Sequence, residues 1–246
     1  MSNAFYDIES LRFYSEDEIE MREMMTARFA SVVKRSLQSV NRAWSFTRVE
    51  GPILTPRNVV GDAYDESDIF VTQIKKAGQK LVLRPETTKS SYAAAIPMLS
   101  KNGTKEFLKK NLPLCVWQVG KSFRVEKSDG ATAAKLRFNE FYQQEFQCIY
   151  SVGTLADYRA IVLHDIKLEM LRFFPSNVLR VVDSDRLPSY SESTIDIEVK
   201  HGDEWREVAS CSIRTDFHEE CRVFELAIGL DRLVEIYTHW NEEFPR

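Results

Sequence analysis

Arg124 and Glu126 stand two apart in a strand-like run, and Arg137, Asn139, Phe141, Gln143 and Glu145 recur two apart in the next. A period of two puts each set on one face of an extended strand. Two guanidiniums, an aromatic ring and two carboxylates on one surface are costly to bury for packing alone. They suit a nucleotide: guanidinium for phosphate, ring for base, carboxylate for an ammonium or a metal-bridged oxygen. Gly120-Lys121-Ser122 looks like the end of a phosphate-binding loop, but Cys115 occupies the place of that motif's first glycine. The run also continues as strand instead of turning into a helix, so the loop reading fails.

These residues need a scaffold, and residues 112–147 supply a hairpin: apolar strand, loop of small and polar residues, returning strand. Upstream, Ser15-x-x-Glu18 is a capping box opening a helix over 16 to about 43. Met25, Phe29, Val33, Leu37, Val40 and Trp44 form its apolar stripe. Residues 46–54 read as extended and 57–70 as a polar loop. Two strands, 70–74 and 81–84, meet around Ala77-Gly78, and a helix over 87–99 follows Pro85. Glu86 there serves either as a helix-start carboxylate or as a ligand.

Residues 105–110 read as a short basic helix, a solvated face. A second amphipathic helix spans 154–174, with Leu155, Tyr158, Val162, Ile166, Met170 and Phe173 on one side and Pro175 as its stop. Alternating strands over 178–182, 194–200, 205–213 and 223–228 precede a terminal helix over 230–240. The expectation is one α+β domain, an antiparallel sheet flanked by helices.

Composition narrows the partners. The net charge of −4 gives no overall electrostatic case for nucleic acid. The first ten residues are polar and acidic, and no run of about 18 apolar residues suggests a membrane span. Cys115, Cys148, Cys211 and Cys221 lack C-x-x-C spacing and sit in apolar runs, which predicts reduced core thiols and a cytoplasmic protein.

The hairpin Phe123-Arg124-Val125-Glu126, loop, Arg137-x-x-x-Phe141-x-x-x-Glu145 resembles the second signature motif of class II aminoacyl-tRNA synthetases. Phe46-x-x-Val49-x-x-Pro52 resembles the first motif, and Ala227-Ile228-Gly229-Leu230-Asp231-Arg232 the third, in the family's order. Within the class the chain is similar to glycyl-tRNA synthetase. The segments that carry this are Leu83-Arg84-Pro85-Glu86-Thr87, Gln118-Val119-Gly120-Lys121-Ser122-Phe123-Arg124, Asp196-Ile197-Glu198 and Arg214-Thr215-Asp216-Phe217. It departs from that pattern at Leu226 and Ala227, where glycyl enzymes carry proline and serine after the carboxylate matched by Glu225. Ser210-Cys211-Ser212 is more like the seryl enzymes. The chain stops soon after Arg232, where glycyl enzymes continue into an anticodon-binding domain.

The resemblance implies ATP-dependent activation of an amino acid, glycine or another small one, as an aminoacyl adenylate. Arg124 would hold the α-phosphate and the attacking carboxylate, Arg232 the γ-phosphate, and Arg137 the β- or γ-phosphate region. Phe141 would stack on adenine, Glu126 would lie near the base edge, and Glu207 would bind Mg²⁺. Glu86, Glu145, Glu225, Arg214, Ser210, Cys211 and Ser212 would hold the amino acid. The acceptor is a tRNA acceptor stem or a carrier protein, and the first motif implies a homodimer. The contrasting reading is a non-catalytic accessory subunit, which would lose the phosphate-holding arginines this chain keeps.

Overall fold

A computed structural model of the protein describes residues 13–61, 64–100, 109–126, 136–185 and 187–243. Helix α1 (Glu16–Val40) opens on the expected capping box: Ser15 Oγ accepts from the Glu18 amide, and the Glu18 carboxylate accepts from the Ser15 amide. It stops short of residue 43 because Asn41 is already extended. Val40 is therefore exposed, while Trp44, beyond the helix, is buried edge-on against Tyr158.

The main sheet has seven strands in the order β1 (Ser45–Arg48), β5 (Leu114–Phe123), β6 (Glu140–Ser151), β10 (Cys221–Gly229), β9 (Glu204–Arg214), β8 (Ser191–His201) and β7 (Leu179–Asp183). All neighbours pair antiparallel except β1, which runs parallel to β5 along the edge. A small three-stranded sheet, β2 (Leu54–Pro56), β4 (Gln79–Leu83) and β3 (Val71–Lys76), sits beside it with the single-turn helix α2 (Arg57–Val60). Its β3–β4 turn falls at Ala77-Gly78, both at positive φ, as a tight hairpin requires. The Arg84 carbonyl accepts from the Phe123 amide at 2.9 Å and links this sheet to the end of β5.

Strand alternation sorts the main sheet into two unlike faces. One presents Cys115, Phe146, Cys148, Ile197, Cys211, Phe224, Leu226 and Ile228 to α1, α4 (Tyr158–Met170) and α5 (Leu230–Glu243). This is the large core. On the other face, Leu114, Val116, Ile149 and Val223 are covered by Tyr92, Ala95 and Leu99 of α3 (Thr88–Leu99). Beyond α3 that face is open, and there the strands turn polar.

All four cysteines are free and buried, and the Cys115 and Cys148 thiols stand 3.5 Å apart across β5 and β6. Two expectations shift. Helix α4 begins at Tyr158, so Leu155 lies ahead of the helix and is fully exposed instead of joining the apolar side. Of the basic segment 105–110, only Lys109 and Lys110 are described, in a single 3₁₀ turn ending at Asn111. The tip of the 112–147 hairpin also lies outside the described residues. No described helix is long and apolar enough to cross a membrane.

Candidate active site

The open half of the second face is a cleft of about 240 Å³ floored by β6, β10 and β9. One end is cationic and aromatic. The Arg124 guanidinium lies 5.2 Å from the Phe141 ring centre and 5.4 Å from that of Tyr64. Its Nε donates to the Pro85 carbonyl at 3.1 Å and its Nη2 to the Tyr64 hydroxyl at 3.1 Å. Arg232, in the first turn of α5, donates Nε to the Leu136 carbonyl and Nη1 to the Glu207 carbonyl. Burial lowers its pKa, but a guanidinium stays charged at neutral pH. Arg137 lies exposed at the rim, 3.3 Å from Glu126. Asn139, placed by periodicity among the cleft residues, instead accepts the Glu126 amide through Oδ1 and latches the hairpin.

The other end is acidic. Glu86, Glu145 and Glu225 converge there, each nearly buried. Thr87, at the start of α3, donates to Glu145 Oε2, with the Thr88 hydroxyl 3.2 Å from the same oxygen, while Gln143 donates to its Oε1 at 2.6 Å. Thr88 and Gln147 donate to Glu225 Oε2, and Arg214 Nη1 donates to both Glu225 oxygens. Tyr64 donates to Glu86 at 3.2 Å. Burial, then the neighbouring charges of Glu225 and Glu86, push Glu145 up to about 8. Burial also raises Glu86, against the pull of Arg214. Glu225 is neutralised by Arg214, while Glu86 and Glu145 have no direct ion pair among the described residues, and an ammonium group placed between them would favour their charged forms.

Arg214 does not line the cleft; it lies beneath it, its side chain wholly buried, between Glu225 and Asp216. Burial disfavours its charge, but Glu225 and the Asp216 hydrogen bonds outweigh that and raise its pKa. Asp216 pays in the opposite sense: burial would raise it, yet Arg214 and Lys89 hold it at about 2. The Tyr190 ring covers the guanidinium at 3.9 Å and also lines the cleft.

Strand β9 divides the Ser210-Cys211-Ser212 trio. Ser210 and Ser212 line the cleft, with Ser212 bonded to Thr194 at 2.9 Å. Cys211 points the other way, into the large core, and corrects its expected place in the pocket. Burial pushes its thiol up to about 12, so it is no nucleophile. The same alternation separates the two departures in β10: Leu226 packs in the core, and only Ala227 reaches the cleft.

Strict alternation would also send Glu207 to the core face with Ala209 and Cys211. It lines the cleft because the β8–β9 register shifts: Ile197 pairs with Ala209, but Glu198 pairs with Glu207. Val208 is the extra residue, a β-bulge that re-aims everything before it. Gly120 also gains a reason. A Cβ there would lie 2.1 Å from Arg84 Nη2, so the glycine makes room for a buried arginine and not for phosphate. Arg84 in turn donates to the Lys121 and Gly51 carbonyls and fixes the Pro85-Glu86 corner.

Sequence reasoning brought together Glu86, Arg124, Glu126, Arg137, Phe141, Glu145, Glu207, Ser210, Ser212, Glu225 and Arg232, all of which line this cleft. It missed Tyr64 and Tyr190, which arrive from irregular segments without periodicity. It also missed the threonine pair at α3, whose signal was its place directly after Glu86.

The donor set fits a nucleotide polyphosphate, with Arg124 and Arg232 as fixed cations and Phe141 as a ring face. Among the described residues no group of three or more His, Cys, Asp or Glu could cage a metal ion. A Mg²⁺ beside Glu207 would therefore take most of its ligands from phosphate and water, as that ion commonly does.

A profile of the tRNA synthetase class II core domain (G, H, P, S and T) matches residues 70–237, more than half of the chain. The glycine–tRNA ligase of Macrococcus caseolyticus (strain JCSC5402) is 31% identical over 145 residues, covering 56% of this chain and 29% of the ligase. That of Staphylococcus aureus (strain JH9) is 30% identical over 141 residues, with the same coverage. The chain thus spans under a third of these relatives' length. Prolyl-tRNA synthetase from Cryptosporidium parvum, solved with halofuginone and AMPPNP, superposes with a TM-score of 0.72 at 15% identity, covering 96% of this chain and 49% of that one. The Giardia lamblia enzyme, in complex with prolyl-adenylate, gives 0.66 at 15% identity, covering 94% and 48%. At such identity these two share the fold. With the profile match over residues 70–237, the chain belongs to the class II tRNA synthetase core-domain family.

Proposed function

We propose that this core activates an amino acid with ATP. The single observation carrying the reading is the junction, in one cleft, of an arginine-and-aromatic end with a three-carboxylate end. The substrate ammonium sits among Glu86, Glu145 and Glu225, which leaves its carboxylate facing Arg124. One carboxylate oxygen attacks the α-phosphorus, the bond to the bridging oxygen breaks, and pyrophosphate leaves with the electron pair. No protein nucleophile is needed, since the attacking group is already an anion. The work is to hold two anions together and spread charge on phosphorus, which fixed guanidiniums do without a proton change.

In this reading Arg124 spans the α-phosphate and attacking carboxylate, and Arg232 and Arg137 hold the outgoing phosphates. Phe141 stacks on adenine with Glu126 at its edge, and Glu207 carries a Mg²⁺ that neutralises phosphate charge. Neighbours of the same fold solved with AMPPNP or a prolyl-adenylate support the nucleotide assignment. Ser210, Ser212 and Ala227 floor a small side-chain space, which fits glycine or another small amino acid. The acceptor is a tRNA acceptor stem or a carrier protein, and the protein works as a cytoplasmic homodimer through the segment around β1. Pyrophosphate exchange measured across the twenty amino acids tests the core claim. We expect exchange with a small amino acid; none with any of them, from folded protein, overturns it.

A further inference from the structure

The ladder between β10 and β6 ends at the pair Gly229–Gln143, because Leu230 begins α5. One residue farther along β6, the Tyr142 amide has run out of β10 backbone to donate to. It donates to the Asp231 carboxylate instead, Oδ2 standing 2.9 Å away. The same oxygen accepts the Tyr14 hydroxyl at 2.5 Å. Tyr14 precedes α1, and its ring meets that of Tyr142 edge-on at 5.9 Å. The Arg22 guanidinium of α1 lies 3.9 Å from the Tyr142 ring centre and 5.0 Å from that of Tyr14.

A carboxylate in the first turn of a helix ordinarily reads as a solvated partner of the helix dipole. Asp231 is only 2% exposed, and these two bonds reach a strand and the segment ahead of α1. Its neighbours in sequence explain the arrangement. Arg232 follows Asp231 directly, and Phe141 precedes Tyr142 directly, and both line the cleft. One carboxylate oxygen therefore fixes the backbone of one cleft wall to the helix start carrying the other.

We propose that Asp231 is a positioning residue for the nucleotide: it sets the spacing of Phe141 and Arg232 across the cleft. Tyr14 holds the carboxylate in the rotamer that does this. The proposal rests on the nucleotide reading given above. The acidic pocket is anchored separately, through α3 and Arg214, so Asp231 acts on one half of the site and leaves the other alone.

Nucleotide affinity and the KM values in pyrophosphate exchange test this, with wild type, Asp231→Ala, Asp231→Asn and Tyr14→Phe compared. Asp231→Ala should raise the ATP KM and the calorimetric Kd for ATP about tenfold, the size of one hydrogen bond to a charged group. The amino-acid KM should stay within about twofold, since the pocket does not depend on this bond. Asp231→Asn keeps an accepting oxygen for both donors and should retain near-normal ATP affinity; Tyr14→Phe should fall between. Asn and Phe keep the proposal testable if the alanine protein does not fold. Equal changes in both KM values, or unchanged ATP affinity in Asp231→Ala and Tyr14→Phe, would overturn it while leaving amino-acid activation standing. Wild-type protein that binds no ATP overturns the nucleotide reading and this inference with it.

Discussion

Arg214 grips Glu225 through one guanidinium nitrogen, at 3.1 and 3.0 Å from the two carboxylate oxygens, and Asp216 through its other two nitrogens. All three guanidinium nitrogens of the arginine are thus engaged with two acids, and the side chain does not line the cleft. Its effect on ligand passes through Glu225. Removing it would strand a buried carboxylate, a loss of about 3–5 kcal/mol. Arg214→Ala should lower the melting temperature markedly, and Arg214→Lys should not restore it, since one ammonium cannot reproduce the fork. A lysine variant as stable as wild type would refute the bidentate role.

Glu145 sets a pH dependence. Burial and its two acidic neighbours raise it from 4.5 to about 8 in the folded protein. A raised carboxyl favours folding when protonated, so its contribution is complete below the unfolded value and is lost as pH climbs to about 8. Denaturant titrations at about pH 5 and about pH 8 should show stability falling with pH, less steeply in Glu145→Gln. Binding of an amino-acid ammonium beside it should expel the proton. Calorimetry in buffers of different ionisation enthalpy would register that release near neutral pH, and an identical heat in every buffer would contradict it.

Gly120 is tested sterically. Its Cα hydrogen faces the Arg84 guanidinium, which is pinned by two carbonyls and cannot step aside. Gly120→Ala should cost about 1–3 kcal/mol by overpacking. In Arg84→Ala the clash is gone, so the same substitution should be nearly neutral. A double-mutant cycle reads this directly, and additivity would exclude the contact.

Cys211 and Ser210 lie on opposite faces of one strand and should behave oppositely. Cys211→Ala should lower stability by about 1 kcal/mol without changing the amino-acid KM. Ser210→Val should raise that KM by filling the cleft floor. Native protein should leave Cys211 unlabelled by a thiol reagent that modifies it once unfolded.

Much of this was legible because half-buried strands must alternate. Phe141, Gln143 and Glu145 announced the cleft face, and the Ser15 capping box announced α1. The parallel placement of β1 was not legible, since pairing direction leaves no mark on four residues whose partner lies nearly seventy positions away. Leu155 misled because it fits the helical period of α4 while the chain has not yet begun to turn. Arg214 was legible as belonging with the three carboxylates, but its burial beneath Glu225 was not, because spacing gives the face of a strand and not the depth of a side chain.

The bulge at Val208 changes the parity of β9. Before it, the odd-numbered Glu207 faces the cleft; after it, the even-numbered Ser210 and Ser212 do, with Arg214 buried beneath them. One strand can thereby send a carboxylate toward the arginines and small hydroxyls toward the three glutamates while Ala209, Cys211 and Ile213 stay in the core. Chain length at this point matters more than residue identity: losing one residue would swap what the strand shows on either side.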